Sequence, residues 1–495
     1  MRRAGILLHP TSLPGSGPCG DLGDGALHFL DWLAAGGVSL WQVLPLNPPG
    51  AGFSPYDSPG CFAAGTHLLS VDRLVRDGLL KPGEVNLPPR GAGLPDRVDV
   101  ARLTEWHEPL VDKAAARYAE EDPGAIDAFA KAERWVNDWA LYRALLRYRG
   151  AIDWFELSPA LRDRRPDALE KARAEHQGAI RREIAAQLLF RRQWGEVRAA
   201  ARARGISIMG DVPIFVSGGG VDVWAHRELF RGHGDAERGW AADPVTGVPP
   251  DYFSPMGQRW GNPHYNWPVH EQSGFAWWID RIRSVLALVD EVRIDHFRGF
   301  AAAWEIAANT DDARTGRWSP APGRQLFEAV KAACGALPLV AEDLGVITPD
   351  VEALRDGLGL PGMKILQFAF GDDASHAFLP HNYPSPRWVV YTATHDNDTS
   401  RGWYQGAGDK ARHRYRVYVG RDGAEPHWDL IRLAWSSVAE TAIAPMQDVL
   451  GLDSWGRMNT PGTLKGNWSW RATTLPDWGA WRLRELAETY GRLPV

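Results

Sequence analysis

The chain has 495 residues, more than a typical single domain but within the range of one elaborated barrel. Its 55 Lys and Arg face 61 Asp and Glu, a net charge of -6 with no long basic run, which argues against nucleic acid as a partner. Cys19, Cys61 and Cys334 are scattered, giving neither a disulfide framework nor a metal-binding pair, and fit a reducing, cytoplasmic setting.

From the N-terminus, the apolar run of MRRAGILLHP stops at Leu8, too short for a signal peptide. No later window is apolar for long enough to cross a bilayer, so no membrane partner is expected. Eight short β-branched or aliphatic runs follow one another: Ile6 to His9, Leu40 to Leu46, Ile206 to Phe215, Val289 to Asp295, Leu339 to Asp343, Met363 to Phe368, Val389 to Thr394 and Thr441 to Leu450. Segments with helical spacing separate them, and the last run reads equally well as helix. Parallel strands buried on both faces need crossover helices, so the alternation predicts an α/β fold, a (β/α)8 TIM-type barrel spanning residues 1–495.

The spacing is uneven. Roughly 150 residues separate the second and third strands, far more than one crossover needs, and predict a mainly helical insertion over 66–200. A second insertion, 216–285, is rich in Gly, Pro, Trp and Tyr. It follows the third strand, and loops on that face of a barrel build its site, so it is expected to cover the substrate. Trp numbers 24 against 16 Phe and 12 Tyr. Sugar rings stack on such flat faces, although core filling accounts for most of the excess.

Three carboxylates stand at or just past predicted strand ends: Asp295 in Arg-Ile-Asp-His-Phe, Glu342 in Ala-Glu-Asp-Leu-Gly and Asp396 in Thr-His-Asp-Asn-Asp. Strand C-terminal ends converge on one axis, so residues distant in sequence meet there. Retaining glycoside cleavage uses two carboxyl groups about 5 Å apart, one as nucleophile and one as acid and then base. A lone Asp at such a place is more often a helix cap, but three in order, Asp295 and Asp396 being flanked by Arg or His, point to chemistry. Arg293 precedes Asp295 by two residues, which puts both on one side of a strand and lets the guanidinium hold the carboxylate ionised. Neither an HxH nor an HExxH pattern nor a calcium loop accompanies these groups, and Gly218 to Gly220 lacks the GK[ST] of a phosphate cradle, so no metal and no cofactor are expected.

These residues sit in runs that resemble the amylomaltases, the 4-α-glucanotransferases of the α-amylase clan, along nearly the whole chain. The runs include Leu7 to Gly15, Ser54-Pro55-Tyr56, Gly210 to Pro213, Gly257 to Pro263, Arg293 to Gly299, Ala341 to Gly345, Thr394 to Asn397, Asn459 to Thr463 and Asn467 to Arg471. The resemblance implies Asp295 as nucleophile, Glu342 as general acid/base and Asp396 as transition-state stabiliser. It implies Asp211, Arg293 and His395 around the transferred sugar and Tyr56 as an aromatic platform beneath it. Gln258 and Trp260 would lie over the substrate, Asp251 to Phe253 would shape acceptor binding, and Asn467 would touch the glucan. The partners so implied are an α-1,4-glucan donor and a sugar acceptor such as a maltooligosaccharide or glucose; the oligomeric state stays open. Within the second insertion, Tyr252, Phe253, Tyr265, Trp260 and Trp267 offer stacking faces for the acceptor, with Trp267 better read as loop packing. Three positions depart from the family pattern: Phe53, Cys19 and His264. Rival readings are an α-1,4-glucan hydrolase with the same triad, a non-catalytic glucan-binding protein, and a sugar-phosphate enzyme using Asn459 to Gly462.

Overall fold

The computed structural model describes residues 2–86, 95–250 and 254–494. Eight parallel strands form one sheet: β1 (Arg3–Leu7), β2 (Leu40–Gln42), β3 (Ser207–Val212), β4 (Glu291–Ile294), β5 (Leu339–Ala341), β6 (Gly362–Ile365), β7 (Trp388–Tyr391) and β8 (Thr441–Pro445). Consecutive strands pair in register from β1 to β5 and from β6 to β8, and β8 pairs with β1. The remaining edge is bridged where Ala341 N–H donates to Pro361 O at 2.9 Å, bringing β5 beside β6 and closing the barrel. Almost every strand residue is buried, as expected where side chains fill the inside and helices cover the outside.

The eight predicted strands all form, seven of them shorter than the apolar runs that marked them, while the first begins earlier than its run, at Arg3. The ambiguous eighth is both things in turn: Thr441–Pro445 is strand, and Met446–Val449, entered through Pro445, is helix. Alternation with helices holds except between β6 and β7, where the described connection contains only the 3-10 turns Leu366–Phe368 and Pro380–Asn382.

The first insertion is helical, with Glu108–Glu121, Pro123–Ala132, Trp135–Arg149, Pro166–Glu175 and Gln177–Ala203. The last of these delivers the chain to β3, so it is at once the longest helix of the insertion and the crossover helix of the barrel. The second insertion differs from the expected irregular loop. Val245–Val248 and Gln258–Pro263 pair antiparallel, and Ala302–Ile306 and Arg317–Pro320, from the connection after β4, complete a four-stranded sheet. Its C-terminal part, Ala276–Leu286, is the crossover helix to β4. Asp251, Tyr252 and Phe253 lie outside the described residues.

The tryptophan surplus serves the core: Trp41, Trp154, Trp194, Trp224, Trp278, Trp435 and Trp470 are among the largest fully buried side chains. Among the described residues no helix is long and apolar enough to cross a membrane.

Candidate active site

The C-terminal ends of the barrel strands open into a cleft of about 760 Å³ whose walls include Asp295, Glu342 and Asp396. Asp295 follows Ile294 at the end of β4, and its N–H donates to Val212 O of β3 at 3.0 Å. Glu342 follows Ala341 at the end of β5, and its N–H donates to Ile294 O at 3.1 Å. Asp396 lies beyond β7 in a loop fixed by Asn397, whose side-chain oxygen accepts from Thr394 N–H at 2.9 Å and Thr394 Oγ1 at 2.8 Å. Each carboxylate is therefore anchored through its own backbone or loop, and strand closure brings the three to one cleft.

The parallel register explains the ion pairs. Asp211 of β3 stands directly beside Arg293 of β4. Arg293 Nη1 donates to Asp211 Oδ2 at 2.7 Å, while Nη2 lies 3.0 Å from Asp295 Oδ1. Tyr56 Oη donates to the same Asp211 oxygen at 3.0 Å. Asp211 has no exposed side-chain area and is absent from the cleft wall, so it orients Tyr56 and Arg293 from behind. Burial, helped by the Asp295 charge, pushes its carboxyl up to about 7 against the pull of Arg293.

Tyr56 is stacked on His395, with ring centroids 5.1 Å apart and planes 13° from parallel, and Trp468 tilts against both. The platform expected at Tyr56 is thus a three-ring assembly. His395 Nε2 lies 3.3 Å from Asp396 Oδ2, and burial holds the imidazole down to about 4, so near neutral pH it is an uncharged partner.

Glu342 Oε2 accepts from His296 N–H at 2.6 Å, so the acid/base candidate is held by the backbone of the residue next to the nucleophile candidate. His296 reaches this position in the left-handed region, φ 50°, a strained conformation for a non-glycine residue. Burial, reinforced by the charge on Asp295, holds the Glu342 carboxyl well above the ordinary glutamate range despite Arg293. The Asp295 carboxyl is also raised, by burial and by Asp396, with Arg293 pulling the other way. Arg293 therefore offsets the burial of its neighbour and does not reverse it, as the sequence pattern had suggested it would.

Over the cleft, Gln258 and Trp260 sit on the lid strand Gln258–Pro263, where Trp260 Nε1 donates to Gln258 Oε1 at 3.1 Å. Trp260 is 38% exposed and meets the His296 ring edge to face at 4.9 Å. Asn467 lines the cleft, but its amide organises its own loop: Oδ1 accepts from Thr460 N–H at 3.0 Å, and Nδ2 donates to Thr463 O at 2.8 Å. Tyr265, offered above as an acceptor face, is buried and donates to Ile214 O at 2.6 Å, while Trp267 packs against Tyr265 and His270 as expected of a self-packed loop.

The departures from the family pattern avoid the carboxylates. Phe53 adopts φ 64° and meets His67 edge to face, Cys19 is buried, and His264 bonds to Val245 O through Nε2.

Two residues that carry the site escaped the sequence reading. Asn459 Nδ2 donates to Asp396 Oδ1 at 2.6 Å, and its N–H donates to His395 O at 3.0 Å. Arg457 Nη2 donates to Asp396 O at 2.7 Å and Nε to Asn459 O at 2.7 Å. Asn459 is therefore committed to a carboxylate, which disfavours the phosphate cradle once considered for Asn459 to Gly462. The only hint in sequence was the Asn-Thr-Pro-Gly-Thr motif itself.

Known proteins resemble this chain along nearly its whole length. The family model described as 4-alpha-glucanotransferase, glycoside hydrolase family 77, matches residues 8–476. The chain is 46% identical over 511 aligned positions to a 4-alpha-glucanotransferase of Thermus thermophilus, covering 99% of each. It is 45% identical to the chloroplastic/amyloplastic 4-alpha-glucanotransferase of Solanum tuberosum, covering 99% of this chain and 87% of that one. Its fold superposes on an amylomaltase from Streptococcus agalactiae in complex with acarbose with a TM-score of 0.95 at 36% identity, covering 100% of both chains.

Proposed function

Because the chain belongs to the 4-alpha-glucanotransferase family, we propose that its transfer of α-1,4-glucan segments runs as a retaining double displacement on Asp295, Glu342 and Asp396. The observation that carries this reading is the pairing of opposite protonation needs on adjacent strands. Asp295 is bound to Arg293, while burial, reinforced by the neighbouring Asp295 charge, raises the Glu342 carboxyl well above the ordinary glutamate range.

In the first step Asp295 attacks the anomeric carbon as Glu342 gives its proton to the departing glycosidic oxygen, leaving a β-linked sugar on Asp295. The 4-hydroxyl of an acceptor sugar then enters, Glu342 removes its proton, and the sugar leaves Asp295 with α-configuration restored. Asp396, braced by Asn459 and His395, is placed to hold hydroxyls of the distorted ring. No step draws on a metal or cofactor. Transfer needs a bound acceptor and poorly placed water, and the lid strand with Gln258 and Trp260 supplies a covered, aromatic approach. The three unpaired cysteines support a reducing, cytoplasmic setting.

The test is incubation with maltotriose alone, resolving all products and free reducing ends over time. A ladder of longer maltooligosaccharides with constant reducing ends is expected, and Asp295→Asn should abolish it. Only shorter sugars with rising reducing ends would make the chain an α-1,4-glucan hydrolase; binding without turnover would leave a glucan-binding protein.

A further inference from the structure

The lid sheet carries cleft-lining tryptophans on both of its edge strands, Trp260 on Gln258–Pro263 and Trp318 on Arg317–Pro320. The sequence pattern drew attention only to the first. Trp318 is half-buried and fixed from two directions: the Arg298 guanidinium lies 3.6 Å from its ring centroid, and Trp304 meets it at 5.0 Å and 64°. Arg298 is itself buried and donates from Nη1 to Thr348 Oγ1 at 2.8 Å. An aromatic ring clamped in this way is an ordered flat surface, with little rotamer freedom left to lose when a sugar stacks on it.

Its position in the cleft follows from its tethers. Thr348 belongs to the segment that continues from Glu342, and Leu344 and Val346 of that segment line the same cleft. Trp318 therefore stands on the Glu342 side, whereas Tyr56, His395 and Trp468 gather at the Asp396 side. The general acid faces the bond to the departing piece, so the Glu342 side receives first the leaving sugar and then the acceptor.

We propose that Trp318, held by Arg298, is a stacking platform for the acceptor glucan and sets the balance between transfer and hydrolysis. This rests on the double-displacement reading above. A sugar stacked on Trp318 presents its hydroxyl to Glu342 in place of water, so removing the flat face weakens acceptor binding; the leaving part of the donor loses the same contact, but water can still resolve the glycosyl-enzyme, so transfer falls more than cleavage.

The experiment measures the full-length enzyme and its Trp318→Leu and Trp318→Phe variants with maltotriose as donor and glucose as acceptor. Readouts are the acceptor KM, the rate of donor cleavage, and the ratio of transferred to hydrolysed product. Trp318→Leu, which keeps apolar bulk without a ring, is expected to raise acceptor KM about two- to tenfold and shift product toward hydrolysis. Donor cleavage should fall less than transfer does, and Trp318→Phe should restore most of the wild-type acceptor KM. An unchanged acceptor KM in Trp318→Leu, or equal loss of kcat in both variants without a KM effect, would reduce Trp318 to lid packing and overturn the proposal. Absence of a ladder in the wild type would instead overturn the transfer mechanism.

Discussion

The position of Asp295, Glu342 and Asp396 was legible because strand ends are legible; what each carboxylate touches was not. Arg293 and Asp295 are two residues apart, and their contact could be drawn from strand periodicity. Asn459 and Asp396 are 63 residues apart on different loops, and only the closed barrel brings them together. Asp211 shows the converse: the family resemblance implied a place beside the transferred sugar, and register with Arg293 buries it behind that side chain. The charge state of Glu342 has a direct consequence for pH dependence. The general acid must be protonated in the free enzyme, and burial with the Asp295 charge raises its pKa, so the alkaline limb of kcat/KM should lie above the ordinary glutamate range. The acid limb should likewise lie above the ordinary aspartate range, since burial and Asp396 raise the Asp295 carboxyl. Both limbs belong to the pair, and replacing Asp295 by Asn should lower the Glu342 pKa, read as a downward shift of its carboxyl band in an infrared titration. An alkaline limb within the ordinary glutamate range would contradict this account. The sign for stability follows too. A raised folded-state pKa contributes stability at pH below the unfolded value, and that contribution is lost as pH rises through the folded one.

Among the elements, buried parallel strands announce themselves as continuous apolar runs, and all eight were recognised. The lid was not, because three of its four strands contain Gly or Pro and the four come from two separate connections. Nothing local in Ala302–Ile306 points to pairing with Val245–Val248, more than 50 positions earlier. The sheet depends on close approach at Gly247, which pairs with both Arg259 and Trp304. A Cβ there would lie 2.2 Å from Gln258 O and 2.5 Å from Ile306 Cδ1. Gly247→Ala must therefore push the strand bearing Gln258 and Trp260 off the cleft, at a local cost of about 1–3 kcal/mol typical of overpacking. The barrel core is remote from this contact, so the expected outcome is a lowered transfer rate and a larger hydrolysed fraction with secondary structure retained. Circular dichroism and product analysis of one preparation would check it, and wild-type transfer by the variant would show that the lid strand does not govern the acceptor.

At the scale of the molecule, the first insertion is long and helical, yet it shares the core of the barrel. One buried apolar cluster runs from Ile6, Ile208 and Ile294 inside the barrel framework to Leu110, Leu141 and Ile184 of the insertion. Helix Gln177–Ala203 ties the two by polar contacts as well. Gln187 accepts from Ala64 N–H at 2.8 Å and donates back to Ala64 O at 3.0 Å, and Gln193 makes the same exchange with Ser70 at 2.8 and 3.2 Å. The chain ends are locked into the same body. Fully buried Arg492 donates to Trp435 O at 2.7 Å, to Arg3 O at 2.9 Å and to Ala439 O at 2.9 Å, joining the last helix to β1 and to the entry of β8. With one apolar cluster continuous between insertion and barrel, partial unfolding would expose apolar surface on both sides, so calorimetry should show one cooperative transition. Arg492→Ala leaves several buried carbonyls without donors, each costing about 1–3 kcal/mol. The loss should therefore lower the single transition as a whole and not merely fray the C-terminal helix. Two resolved transitions in the wild type would mean that the helical insertion holds a core of its own. An Arg492→Ala trace that keeps the wild-type Tm would mean that the barrel closes without its terminal clasp.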